Sequence, residues 1–441
     1  MPGRMTPDRS LFCAAMAVAL VAAPSAGLAL QPLDAFVASA RQRNPDAAQA
    51  RATLELERAQ ADLARGRVLP QIALVGTYTR NQYSAVFTEP GTPATTFTIT
   101  PADQLNGTAT LNVPLVNLAN FQRIASAKTT AEGSERQLEA TGLQVEGQVV
   151  QEYYQLVANT ALVAASTRAL QFSRDNLRIT EVRFEAGTTA SLDVDRAKTD
   201  VETQVEQLAS SELQVALAAR ALESASALAP DLSSTPPLAD DLHPEPALST
   251  FEASLSNLPA VASATLATRA AEQQAEAERF TLVPSLAASA TESVTNATGF
   301  TGHEGYYQLN VTLSWTFDLT NLASIRSQDA SASVARAAEQ RTRLSAGDAI
   351  HLEWNTVGAD IARSRSARRA SETAAHAAEQ ARERYEAGTA PLLDLLQAQR
   401  DAFTAEVTRI QADADLENAR VQLRLAAGQS HLAGDGKELA Q

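Results

Sequence analysis

The most constraining feature of this sequence is a long internal repeat. Residues 183–188 read RFEAGT, and residues 384–389 read RYEAGT. At the same offset, residues 192–194 read LDV and residues 393–395 read LDL. The offset of about 200 residues is too long for one unit of a solenoid and fits a duplicated half of a protein. The chain is therefore expected to fold as two related halves.

Each half predicts the same order of elements: a helix, two strands, a very long helix and a return helix. Proline ends the first helix of each half, because proline cannot donate a hydrogen bond inside a helix. Glycine then marks the turn between the two long helices. The predicted parts are residues 30–229, with strands at 71–81 and 105–115 and a tip near Gly187, and residues 247–428, with strands at 284–294 and 308–318 and a tip near Gly388.

Three further segments lie outside these halves. Residues 1–29 have the composition of a secretory signal peptide, with Arg4 and Arg9 ahead of an apolar run of about a dozen residues. The Pro-rich residues 230–246 are expected to link the halves, and residues 429–441 to form a flexible tail.

The long helices are predicted at about residues 119–185 and 321–386, and each would be roughly 100 Å long. Apolar residues in the first follow alternating steps of four and three, which is coiled-coil spacing. A second apolar stripe runs beside the first, so each helix can pack against neighbours on both sides. This pattern favours a cylinder of helices over a two-stranded coil. The two stripes contain Val149, Tyr153, Leu156, Val163 and Leu170, and Val150, Tyr154 and Val157.

The sharpest strand pattern lies at residues 307–319, where apolar and polar residues alternate. One face of this strand would be apolar, and its length suits a tilted transmembrane strand of roughly 9 to 11 residues. A half-buried strand of a soluble sheet would alternate in the same way, so this strand alone leaves both interpretations open. The side chains predicted to face lipid are Tyr307, Leu309, Val311, Leu313, Trp315 and Phe317.

Composition excludes several classes of function. The net charge of -15 argues against nucleic acid, whose phosphates attract basic surfaces. The histidines are scattered without ligand spacing, and neither a P-loop nor a G-x-G-x-x-G motif is present. The one cysteine, Cys13, lies in the predicted signal peptide. No catalytic, cofactor-binding or metal-binding residue is therefore predicted.

The RYEAGT motif, followed by LDL at 393–395 and QAQ at 397–399, resembles the outer-membrane efflux protein family of TolC-type channels. The resemblance covers residues 31–428. It implies a fold that is mainly α with a small β part, in which three copies form a twelve-stranded β-barrel in the outer membrane and a helical barrel in the periplasm. It also implies a passive exit duct for small molecules or secreted substrates, including type I secretion. The expected partners are a periplasmic adaptor protein and an inner-membrane transporter.

The resemblance implies a functional site at the two hairpin tips, where a periplasmic gate closes the duct. Three copies of each aspartate would make a ring that favours cations. Ala390 and Gln397 depart from members that have a gating arginine and a second aspartate there. The residues implied are Asp193, Asp394, Tyr385, Leu192 and Leu393 for the gate, and Gly187, Gly388, Arg183 and Arg384 for the tip and its contact with the adaptor.

Simpler interpretations of these residues remain open at the sequence level. Asp193 and Asp394 lie where an acidic residue stabilises the start of a helix, and Arg183 and Arg384 lie where a basic residue stabilises its end. A periplasmic coiled-coil adaptor, or another structural interaction protein, is the alternative function. Adaptors have one helical hairpin, whereas this sequence predicts two. Residues 82–101, rich in Ser, Thr and Pro, are expected to form an extracellular loop.

Overall fold

A computed structural model of the protein describes residues 30–430, apart from Thr92, Ala94 and Ser234. The predicted signal peptide lies outside the described residues, as does most of the predicted tail. No helix among the described residues is long and apolar enough to cross a membrane.

Among the described residues, the first half contains short helices, a set of strands and a long helical hairpin. The elements are α1 (Leu33–Arg43), α2 (Pro45–Gly66), β1 (Gln71–Arg80), β2 (Ala85–Glu89), β3 (Thr95–Thr100), β4 (Asp103–Val116), α3 (Leu118–Glu185) and α4 (Ser191–Ser226). Asn117 caps the start of α3, because its side-chain oxygen accepts a hydrogen bond from the backbone amide of Asn120 at 3.0 Å.

The second half repeats this order in the part that the structure describes. Its elements are α5 (Leu248–Glu252), α6 (Pro259–Arg279), β5 (Ser285–Thr295), β6 (Gly305–Ser314), α7 (Leu319–Glu386) and α8 (Leu392–Ala426). Helices α3 and α7 each have 68 residues. Asp318 begins α7 in the way that Asn117 begins α3, by accepting the amide of Thr320. The same local signals therefore start both long helices.

Four strands form one antiparallel sheet in the order β1-β4-β5-β6. Their register aligns apolar side chains in rows across the sheet: Ile72 pairs with Leu111, Leu111 with Ala290, and Ala290 with Leu309. The opposite face is polar, and the hydroxyls of Thr110 and Thr291 lie 3.3 Å apart there. Among the described residues, none covers the apolar face, since Ile72 is 76% exposed and Leu309 is 72% exposed.

The structure corrects two predictions about the strands. The strand expected at 308–318 ends at Ser314, because Ser314 pairs with Ser285 and the preceding Pro284 does not extend β5. Trp315 and Phe317 therefore lie beyond the strand, and the Trp315 indole donates to the carbonyl of Leu282 at 3.1 Å.

The second correction concerns residues 82–101, which were expected to be a loop. They contain β2 and β3, which pair with each other as a separate antiparallel sheet. The physical reason is that residues 95–100 read TTFTIT, a run of β-branched and aromatic side chains that favours a strand.

Two large apolar clusters, one in each half, contribute most of the core of the helical part among the described residues. In the first, α1 packs onto α3 and α4, and Phe36, Leu156 and Leu222 are fully buried. In the second, α5 packs against α7, and Ile350 and Leu416 are fully buried. Each half therefore builds a core of the same kind.

The linker predicted at 230–246 is held to α8 by one buried arginine. Arg420 forms salt bridges with Asp240, at 2.6 Å, and with Glu245, and it donates to the carbonyl of His243 at 2.7 Å. Its side chain is 5% exposed, and both carboxylates are buried with it. Because the charges are shielded from water, each depends on the others for its stabilisation.

We expect Arg420→Met to lower the free energy of unfolding by about 3 to 5 kcal/mol, because Asp240 and Glu245 would stay buried without their cation. Thermal unfolding and limited proteolysis of the linker measure this effect. The control is Arg220→Met, which removes an exposed arginine from α4 that pairs with Glu223. Equal stability of the two variants would show that Arg420 does not anchor the linker.

Candidate functional site at the hairpin tips

The two hairpins end in identical turns. Gly187 follows α3 with φ of 73°, and Gly388 follows α7 with φ of 75°, a left-handed conformation that glycine adopts without strain. The amide of Thr188 donates to the carbonyl of Arg183, and the amide of Thr389 donates to that of Arg384, both at 2.9 Å. These bonds belong to a Schellman motif, which satisfies carbonyls left over at the end of a helix. The repeated motif therefore encodes the turn itself.

Arg183 joins the two tips. Its guanidinium carbon lies 4.4 Å from the centre of the Tyr385 ring, and its Nη2 donates to the carbonyls of Tyr385 at 2.7 Å and Glu386 at 2.8 Å. Arg183 thus places a positive charge at the C-terminal end of α7, where the helix dipole is negative. The sequence suggested that Arg183 stabilises the end of its own helix, α3. In the structure it stabilises the end of α7, in the other hairpin.

Tyr385 lies between the hairpins and is only 3% exposed. Its hydroxyl is 2.8 Å from the hydroxyl of Thr180, which itself donates to the carbonyl of Asn176 at 2.7 Å. Thr180 has one proton, so Tyr385 is the donor and Thr180 the acceptor. Around the ring lie apolar side chains from both hairpins, including Leu392 and Leu395. Tyr385 therefore joins α7 to α3 inside one protomer.

A second buried contact lies above the tip, and the sequence did not reveal it. Asp200 on α4 accepts from the hydroxyl of Ser173 at 2.7 Å and from the guanidinium of Arg400 at 3.2 Å. Its side chain is almost wholly buried. The spacing of residues could have indicated that Asp200 is buried, because it follows Val194 and Ala197 at steps of three along α4, and both of these are buried. A carboxylate on such a face needs a partner from another helix.

The remaining predicted gate residues are not brought together in one protomer. Asp193 has partners within its own turn, accepting from Thr189 at 3.0 Å and pairing with Arg196 at 3.3 Å. Asp394 lies exposed on the first turn of α8. Leu192 and Leu393, at matching positions of the two repeats, are both exposed. Arg384 is also exposed, on the last turn of α7.

A groove of about 670 Å³ runs between the hairpins above these contacts. Phe172 and Phe403 line it, together with charged residues such as Arg168 and Glu406. A hydrogen bond from Arg409, and then one from Ser371, hold the pKa of Glu406 below its usual range despite partial burial. Glu406 therefore remains charged at neutral pH. The groove offers apolar and ionic contacts side by side.

Paired long hairpins that end in tight turns, joined to a sheet with one exposed apolar face, are the architecture expected of a duct-forming protein of a bacterial envelope. The family model of the outer membrane efflux protein matches residues 36–227 and 251–429, and the chain belongs to that family. The protein is therefore an efflux channel of the outer membrane that extends into the periplasm, and it is a passive channel rather than an enzyme. No curated protein matches the chain.

Solved structures of similar fold support the predicted class, mainly α with a small β part. A membrane protein from Pseudomonas aeruginosa is 20% identical, with a TM-score of 0.78 and coverage of 91% of each chain. The outer membrane protein VceC from Vibrio cholerae is 18% identical, with a TM-score of 0.77 and coverage of 90% of this chain and 96% of that one. The Campylobacter jejuni CmeC outer membrane channel is 17% identical, with a TM-score of 0.75 and coverage of 93% and 89%. At these identities the likeness concerns the fold.

We expect Arg183→Met to loosen the tip, because the last carbonyls of α7 would lose their charged donor. Hydrogen exchange at the amides of residues 385–389 should become about ten- to a hundredfold faster, since hydrogen bonds to charged groups contribute about 1.5 to 3 kcal/mol. Arg178→Met is the control, because Arg178 is exposed one turn earlier on α3 and pairs with Asp175 of its own helix. Unchanged exchange in Arg183→Met would contradict the role of Arg183.

Proposed function

We propose that three copies of this chain form an exit duct through which small molecules leave the cell, with a twelve-stranded barrel in the outer membrane. The observation that carries this proposal is the incomplete sheet. Strands β1 and β6 are its edges, and each has one side without a partner in the described chain. Three antiparallel steps separate them, so they run in opposite directions. The β6 edge of one copy can therefore pair antiparallel with β1 of the next.

The side chains of the sheet support a barrel with lipid outside and water inside. The exposed apolar rows would face lipid, and the Thr and Asn face would line the duct. Tyr307, Leu309, Val311 and Leu313 belong to the apolar face of β6, with Trp315 and Phe317 just beyond its end. Glu292 interrupts this face near the end of β5, at a level where a membrane surface tolerates charge.

The proposed gate lies at the periplasmic tips. Leu192 and Leu393 are exposed in a single protomer, as side chains that meet only in a closed ring would be. Three copies of Asp193 and Asp394 beside them would concentrate negative charge and favour cations. Tyr385 contributes from within the wall of the duct, because it holds α7 against α3.

The proposed partners dock at the same end. A periplasmic adaptor would contact the exposed turns at Gly187 and Gly388 and the groove lined by Phe172 and Phe403. An inner-membrane transporter would supply the energy and the substrate, since a passive duct provides neither. Arg183 is engaged within the protomer, so its part in adaptor binding is indirect.

Val311→Arg should impair assembly of the barrel, because arginine facing lipid costs about 2 to 4 kcal/mol at mid-depth. The level of heat-modifiable trimer in outer membranes measures this effect. Asn310→Arg is the matched control, since its side chain belongs to the polar face of the same strand. Normal trimer levels in Val311→Arg would mean that this face does not contact lipid.

Replacing both Asp193 and Asp394 with Ala should reduce cation selectivity in planar bilayers, because the tip loses its rings of negative charge. Asp348→Ala is the control, since Asp348 is an exposed carboxylate in the middle of α7. Selectivity equal to that of the wild type in the double variant would remove both aspartates from the gate. A wild-type protein that is monomeric and stays in solution without detergent would instead contradict the proposal that the chain forms a duct.

A further inference from the structure

The contact between the hairpins has an unused counterpart in the second repeat. Arg384 occupies on α7 the position that Arg183 occupies on α3, two residues before the last residue of the helix and in the same turn motif. Arg384 is exposed, and its guanidinium has no partner among the described residues. By the same correspondence, Phe184 is the counterpart of Tyr385, and Phe184 is exposed whereas Tyr385 is buried.

The arrangement of the hairpins indicates where this counterpart would be used. Within one protomer, α3 of the first hairpin lies against α8 of the second. Because the two hairpins are repeats, a closed ring of copies would place α7 against α4 of the next copy in the same way. The face of α7 near Arg384 would then meet the tip that contains Phe184. This inference rests on the trimer proposed above.

We propose that Arg384 of each copy clamps the end of α3 in the next copy. Its guanidinium lies over the ring of Phe184 there, and its N–H groups donate to the carbonyls of Phe184 and Glu185. These are the counterparts of the carbonyls of Tyr385 and Glu386, which Arg183 binds within the protomer. A planar, permanently charged guanidinium suits both contacts, because it can stack on a ring and donate several hydrogen bonds.

The surroundings of this second clamp are weaker than those of the first. Phe184 has no hydroxyl to donate a hydrogen bond. Its would-be acceptor is also missing, because Ala381 occupies the position in the second repeat that Thr180 occupies in the first. The apolar side chains around Tyr385 also have smaller or polar counterparts. Ala378 replaces Leu177, Gln380 replaces Ile179, Ser191 replaces Leu392 and Asp195 replaces Leu396. With less apolar contact beside it, Arg384 contributes a larger share of the contact between copies than Arg183 does within one.

The test places the photoreactive amino acid p-benzoylphenylalanine at position 184 of the full chain in outer membranes. After irradiation, a denaturing gel should show products of two and three linked chains. Mass spectrometry should map the adducts to the last two turns of α7. The same amino acid at position 385 is the matched control, and it should give adducts within one chain, to the segment of α3 around Thr180.

Variants of the arginine test the clamp itself. Arg384→Met should lower the yield of linked chains from position 184 several-fold, whereas Arg382→Met, which removes an arginine paired with Glu379 on its own helix, should not. A cysteine pair, Phe184→Cys with Ala381→Cys, joined by a short bismaleimide, examines the same contact without a bulky ring and should also link copies. Equal losses in Arg382→Met and Arg384→Met would overturn the proposal.

The mass of the detergent-extracted protein shows whether the trimer itself forms, and so distinguishes failure of the Arg384 contact from failure of the trimer. Intact trimers with no linked chains from either probe, or adducts mapped elsewhere, would overturn the clamp and leave the duct standing. A monomer would overturn the trimer and the clamp together. Linked chains that depend on Arg384 would establish the contact between copies.

Discussion

The contact between the helical hairpins is the interaction on which the rest of the structure depends. Small side chains such as Ala165 and Ala414 let α3 and α8 approach closely, but a stripe of small residues would tolerate a shift by one repeat of the coiled-coil pattern. Buried carboxylates remove this freedom, because a shift would leave them without partners at a cost of about 3 to 5 kcal/mol. We infer that they fix the register. Asp200 of α4 meets Ser173 of α3 and Arg400 of α8, and so fixes one hairpin against the other. Asp413 of α8 meets Ser364 and Arg368 of α7, and so fixes the two helices of the second hairpin.

The register matters because it connects two ends that lie roughly 100 Å apart. At one end, Asn117 and Asp318 begin the long helices directly after the sheet, so the position of each helix is tied to the pairing of its strands. At the other end, Arg183 reaches the last two carbonyls of α7 with hydrogen bonds of 2.7 and 2.8 Å. A slip of one helical turn is about 5.4 Å and would break both bonds. The tip contact therefore forms only when the whole length of the hairpins is correctly aligned.

Periodic features of the fold could be predicted from the sequence, and contacts between distant segments could not. The long helices and the two tips follow from apolar spacing and from glycine, which act within a few residues. The end of β6 was predicted wrongly, because it depends on Pro284, which comes just before the partner strand β5. Strands β2 and β3 were missed because their turn residues suggested a loop. Arg183 was correctly placed at a helix end, but its partner lies 202 residues away, beyond what local spacing contains. Asp200 was missed for the same reason.

The two tips are alike in backbone and different in charge. Asp193 lies 3.3 Å from Arg196, whose counterpart in the second repeat is Gln397. A guanidinium at this distance offsets much of the field of a carboxylate, even where water screens the pair. Asp394 has an uncharged amide at the equivalent position and lies more exposed. Of the two aspartates, Asp394 would therefore be the less neutralised in a ring of three copies. The duplication supplied two copies of one turn, and the following turn differs in charge, because Asp195 and Arg196 correspond to Leu396 and Gln397.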